Sequence, residues 1–386
     1  MSDGELALVN LTPFRVESAA LDGVPEHEQV VIVKATFDLV VGECARVSGE
    51  QLPLAGADLH EGDPELTPIR YESDFVPRKL RADVLVSGKA HAPGGKPVAE
   101  CRISFAVGAL TKSLRVIGDR TWRPILGRFL SFKSRPEPFQ SMDISYANAF
   151  GGKNGGKPDG LRSFAGNRIG KGYSRFGGGL KGLRLPNLED PKRAIRTWWS
   201  RPSAASFGPV GREWQPRAKL AGRFDKRWLA ERSPLLPVDF DESFYNAAPA
   251  DQQVDGYLRG DEEIRVQNMH PAHADFRARL PGMRVRAFVA DVAADRIELA
   301  ELAMHLDTLW IDMESLQLVL VWRGRAPACA AAPSSRLVVG VEPITATPSA
   351  STENYQRELA VILEAELRVD AEVEEAEREL AGICAA

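Results

Sequence analysis

The chain has 386 residues, 44% hydrophobic and 26% charged, enough apolar mass for one large domain or two ordinary ones. A formal charge of −4 gives no whole-molecule pull toward nucleic acid or anionic lipid, so any such binding has to be local. No run of ~18 uncharged apolar residues occurs, the N-terminus carries acids in place of a basic leader, and Cys44, Cys101, Cys329 and Cys384 form no C-x-x-C pair. These features predict a cytoplasmic location, reduced and mostly core thiols, and neither a zinc ribbon nor a dithiol redox site.

The predicted fold is mainly β, a β-rich α+β architecture. Two antiparallel, sandwich-like halves form one body, and an acidic helix closes the chain. Residues 1–150 make the first half. There Val30 to Val41 is an apolar β-branched run, and Ile103 to Val107 and Thr111 to Gly118 flank Gly108-Ala109-Leu110 as a hairpin, since Gly108 supplies the positive φ of a tight connection. Residues 151–210 are a basic, glycine-rich loop and connector: Gly151 to Leu185 holds twelve glycines and eight Lys or Arg against one acid, Asp159. That composition excludes a strand or helix and is expected of a mobile or partner-binding loop. Residues 211–345 make the second half, with a hairpin of Leu306 to Asp312 and Leu316 to Arg323. Its Leu318, Leu320 and Trp322 lie on one face and Gln317, Val319 and Val321 on the other. Residues 346–386 are a linker and an amphipathic helix, in which Glu353 to Ala386 carries ten acids and three bases. Leu359, Ile362, Leu363 and Leu367 recur at helical spacing there, and such a stripe needs a surface on the body or on a partner.

Groups able to do chemistry are sparse. Gly166-Asn167-Arg168-Ile169-Gly170-Lys171-Gly172 has glycines and a lysine but too few residues between them for a phosphate loop, no hydroxyl after Lys171 for Mg²⁺, and no apolar strand before it. His270 and His273 are spaced as metal ligands, but Pro271 opposes the helix that would aim both at one ion. Asp58, His60, Glu61 and Asp63 crowd one loop without the alternation of a calcium loop. The acid pairs Asp239 with Asp241, Asp251 with Asp255, and Asp261 with Glu262 have a spacing open to glycoside hydrolysis, against the plainer role of turn-forming carboxylates. Phe164, Tyr173 and Phe176 interleave the charges of the glycine-rich loop, as in single-strand binders. Trp198 and Trp199 are adjacent and cannot both point inward on a strand, so one is a candidate contact. A loop-assembled hydrolase and a nucleic-acid or glycan binder are therefore the alternatives to a protein-binding role.

Many short motifs together resemble one family. They include Asn10-Leu11-Thr12-Pro13-Phe14, Lys34-Ala35-Thr36-Phe37, Tyr71-Glu72-Ser73-Asp74, Asp83-Val84-Leu85-Val86 and Gly118-Asp119-Arg120. Later come Ala149-Phe150-Gly151-Gly152, Pro186-Asn187-Leu188-Glu189, Trp214-Gln215-Pro216-Arg217, Ala250-Asp251-Gln252-Gln253 and Leu306-Asp307-Thr308-Leu309. From Asn10 to about Arg323 the chain resembles the adaptors, or effector chaperones, encoded beside type VI secretion toxins and spike proteins. Arg168 and Leu80 stand where that family tends to have proline. The resemblance implies a non-catalytic protein without cofactor or metal that grips a toxic effector, often one with a proline-alanine-alanine-arginine tip domain. It then hands that effector to the trimeric spike; neither a membrane nor nucleic acid is an expected partner. The contacts expected from the loop and the tail are Arg162, Phe164, Arg168, Lys171, Tyr173, Arg175, Trp198, Trp199, Leu359 and Leu363.

Overall fold

The apolar run at Val30 becomes the strand Glu28–Asp38, and both of its faces are buried: Val31, Val33, Ala35 and Phe37 enter one core, Val30 and Ile32 another. A strand with no solvent face has to sit inside a sheet that is covered on both sides. In the computed structural model it lies in a seven-stranded sheet ordered Gln253–Val254, Ala82–Ser87, His305–Asp312, Gln317–Pro327, Glu28–Asp38 and Arg15–Ala19, with Arg46–Val47 also paired to Glu28–Asp38. The structure describes residues 6–21, 27–126, 130–156, 162–175, 177, 179–293, 296–329, 335–348, 351–362 and 365. It is mainly β, 40% strand against 12% helical.

The two halves of the sequence form one body by sharing strands. Ala82–Ser87 runs parallel to His305–Asp312, placing Leu309 opposite Val84, and Gln317–Pro327 pairs antiparallel with Glu28–Asp38, placing Leu320 opposite Ala35. Both predicted hairpins form. Leu110 pairs with Val107 around Gly108, whose φ is 54°, and His305–Asp312 turns into Gln317–Pro327 with Leu316 at φ 53°. Along the latter strand Leu318, Leu320 and Trp322 face the main core, and Val319 and Val321 face the second.

A five-stranded antiparallel sheet, ordered Leu188–Glu189, Leu110–Ile117, Glu100–Val107, Glu263–Gln267 and Asp275–Arg279, adds Ile103, Phe105 and Val266 to the main core. A four-stranded sheet, ordered Ala7–Asn10, Arg336–Pro343, Met283–Ala293 and Arg296–Leu302, adds Val285, Ala287 and Leu337. One apolar cluster therefore spans all three sheets. A helix over residues 351–362 lies on the outer face of the four-stranded sheet. Its Tyr355 and Leu359 are buried against Val9, Phe288, Ala290 and Val338, and the Tyr355 ring occupies the space a side chain at Gly340 would need.

Charged residues are also taken inside. Asp74 Oδ2 accepts from Lys34 Nζ and from the Ala55 amide, each at 2.8 Å, and Asp74 Oδ1 accepts from the Tyr71 hydroxyl at 2.6 Å. Arg323 donates to the Asp74 carbonyl at 2.8 Å and pairs with Asp307. Burial holds the Lys34 ammonium below its usual pKa despite Asp74, and pushes the Tyr71 hydroxyl well above its own. A second centre, Asp83, accepts from Lys79 at 2.7 Å, from the Asn246 amide group at 2.9 Å and from the Ala247 amide at 2.8 Å.

Removing one partner from a buried pair leaves an uncompensated charge. Asp74→Ala is expected to lower the unfolding free energy in a urea titration by about 3–5 kcal/mol. Arg46→Ala, which breaks the exposed pair with Glu43, is expected to change it by less than about 0.5 kcal/mol.

Candidate functional site

The described residues of the glycine-rich segment are folded, and Asn167 organises them. Its side chain is fully buried; Oδ1 accepts from the amides of Ile169 at 3.1 Å and Gly170 at 3.0 Å, and Nδ2 donates to the carbonyls of Tyr146 at 2.8 Å and Phe150 at 3.2 Å. The backbone can then run Phe150–Gly151 parallel to Lys171–Gly172. Gly152 sits at φ 85°, and a Cβ there would lie 2.0 Å from the Gly170 carbonyl oxygen, so these two stretches approach only because side chains are missing.

Trp122, Phe150, Leu180, Leu183, Leu185 and Ile195 form a satellite core under this segment, with Phe164, Tyr173 and Trp198 packed against it. Phe164 meets Phe150 edge-on at 5.0 Å, and the Arg201 guanidinium covers the Tyr173 ring at 5.3 Å. Over its described residues the segment expected as a mobile or partner-binding loop is packed, because scattered aromatics that show no periodicity along the chain converge in space. Arg162, Arg168 and Arg175 are exposed. Lys171 is half-buried and donates to Asn187 Oδ1 at 2.8 Å, and desolvation lowers its pKa. Of the tryptophan pair, Trp198 turns inward, and Trp199 is 58% exposed with its ring edge-on to Trp198 at 5.5 Å. Leu359 is consumed by helix docking, so it offers no surface to a partner in this arrangement; Leu363 and Phe176 lie outside the described residues.

The other sequence candidates are used locally. His270 Nδ1 accepts from the amides of Ala272 at 3.1 Å and His273 at 3.0 Å, which shapes the turn. Asp58 accepts from the Ser73 amide, Asp63 from the Glu65 amide, and Glu61 from the Ser145 hydroxyl, with burial raising the Glu61 pKa. Asp239 pairs with Arg223, Asp241 caps the 3-10 turn Glu242–Tyr245, Asp251 pairs with Lys112, and Asp255 with Arg81. Glu262 accepts from the amides of Arg259 and Gly260. Among the described residues no three His, Cys, Asp or Glu side chains are grouped to hold an ion. The cysteines depart from expectation: Cys101 is buried, its thiol pushed up to about 11, whereas Cys44 and Cys329 are exposed.

Sequence reasoning missed an apolar knob. Asp225 caps the short helix Lys226–Glu231 by accepting from the Trp228 amide at 2.9 Å. Trp228 in turn holds the returning chain, its indole N–H donating to the Leu235 carbonyl at 2.8 Å, and it meets Phe224 edge-on at 4.8 Å. Around this frame Phe224 is 58% exposed, Leu229 67%, Leu235 60% and Val238 87%. A second apolar surface lies on the hairpin of Trp122–Leu126 with Leu130–Lys133, where Ile125, Leu130 and Phe132 are exposed while Trp122 anchors the satellite core. A six-residue helix is too short for a periodic signal; the density of apolar residues from Phe224 to Val238 among charged ones was the available clue.

These features define a mainly β protein with many polar side chains engaged in structure and some large apolar side chains displayed. The chain belongs to the DUF2169 family, described as an uncharacterized protein conserved in bacteria, which it matches over residues 25–323. No curated protein and no solved structure matches it. Among the described residues no helix is long and apolar enough to cross a membrane.

Asn167→Ala removes both acceptor and donor from a buried turn, at a cost of about 1–3 kcal/mol for the groups left unpaired. Limited proteolysis is expected to cut within residues 162–175 faster in this variant than in the native chain, and at the native rate in Arg168→Ala.

Proposed function

We propose that the protein is a non-catalytic adaptor that binds a toxic type VI secretion effector and loads it onto the trimeric spike. The observation carrying this reading is the knob. Four large apolar side chains are held exposed by a capped helix and a tryptophan hydrogen bond, and a protein keeps such a cluster in water where a partner covers it. The knob frame is pre-organised, which lowers the entropy lost on docking. The family-like motifs support the link to secretion. The acid pairs and His270 singled out in the sequence are engaged as caps, turn acceptors and ion-pair partners.

The test is capture by the tagged full chain in its source cell, with mass spectrometry to identify what is bound. An effector and a spike component are expected. The combined variant F224A/L229A/L235A/V238A is expected to lose the effector, with contact residues at the centre of the knob worth about 2 kcal/mol or more each. Recovery of neither protein, or recovery unchanged by the variant, contradicts the proposal.

A further inference from the structure

Folding of the glycine-rich segment creates a cleft of about 720 Å³, lined by Lys153, Arg168, Lys171, Lys181 and Arg184. Glu65 is the one carboxylate lining it among the described residues. Elsewhere on the surface several guanidinium groups sit against carboxylates, as Arg46 does with Glu43, Arg265 with Asp275 and Arg279 with Glu263. Among the described residues Arg168, Lys181 and Arg184, which line the cleft, have no such carboxylate partner. An anion entering it gains attraction without first breaking an ion pair between these three and a described carboxylate.

The backbone narrows the kind of anion. A phosphate cradle is made of converging free amides. Here the amides of Ile169 and Gly170 are taken by Asn167 Oδ1, that of Gly152 by the Asn167 carbonyl, that of Gly155 by the Tyr173 carbonyl, and that of Gly182 by the Trp122 carbonyl. The charge must then be met by long side chains spread around the wall, which suits carboxylates spaced along a chain better than one compact oxyanion. A nucleic-acid strand would require aromatic platforms, and Phe164 and Tyr173 are committed to the satellite core. Leu66, Ile169 and Leu183 also line the cleft and give apolar contact for the stems of acidic side chains.

We infer that this cleft binds an acidic peptide segment, with its carboxylates met by Arg168, Lys181 and Arg184. The inference shares no residue with the knob and does not rest on the secretion reading. The probe is a fluorescently labelled oligoglutamate peptide, titrated with the full chain and followed by anisotropy. Saturable binding that weakens with added salt is expected. The variant R168E/K181E/R184E is expected to bind about tenfold more weakly or worse. These three side chains are exposed, so its urea midpoint should match the native chain; R168Q/K181Q/R184Q reads the same loss should charge reversal disturb folding. Three outcomes overturn the inference: no saturable binding, native affinity in the glutamine variant, or displacement by inorganic phosphate or oligothymidylate more readily than by unlabelled oligoglutamate.

Discussion

The structure depends on a carboxylate placed where water cannot reach it. Lys34, Arg323 and Asp307 stand on three adjacent strands of the central sheet, and Asp74 on the segment that crosses their outer face. Two desolvated cations are tolerable there because Asp74 and Asp307 face them, the Tyr71 ring lies against Lys34 Nζ, and Arg323 also donates to the Asp74 carbonyl. A slip of one residue in any of the three strands would turn a charge toward the opposite, apolar face, so the network fixes register as the hydrophobic pattern alone does not. It also fastens the cover of the second core, in which Tyr71 meets Trp310 at 5.0 Å.

Buried polar fastening of the same kind recurs at other family-like motifs. Lys34, Asp74, Asp83, Asn187, Glu189, Arg217, Gln252 and Asp307 all belong to those motifs, and all are buried. Asn187 joins the carbonyl of Ile117 to Asp119 and Lys171, Arg120 pairs with Glu189, and Arg217 pairs with Glu72 while donating to the carbonyls of Phe244 and Val210. These residues resemble a catalytic inventory in type and serve as fasteners in place. Of the knob residues, Leu235 belongs to the family-like motif Pro234-Leu235-Leu236-Pro237, whereas Phe224, Leu229 and Val238 lie outside the motifs.

The sheet strands were legible because continuous apolar runs and Gly108 announce themselves locally, and the tail stripe of Leu359 and Ile362 because helical spacing does. The surface that receives that stripe, Phe288 and Val338, becomes visible only once two distant strands pair. The glycine-rich segment was the hardest to read. Its glycines suggest freedom, whereas Gly152 is there because another backbone passes too close for a side chain, and the bonds of Asn167 reach residues up to 21 positions away. Local composition carries no record of such tertiary contacts, nor of which of Trp198 and Trp199 faces out.

The central claim is that a body fastened by buried ion pairs and side-chain hydrogen bonds holds an apolar knob exposed for a partner. Hydrogen exchange on the full chain, alone and in complex with a protein that the tagged chain captures, addresses it directly. New protection confined to the knob around Lys226–Glu231, with exchange near Asp74 slow and unchanged, is the predicted result. Protection that appears around Asp74 and Arg323 while the knob exchanges as before would contradict it.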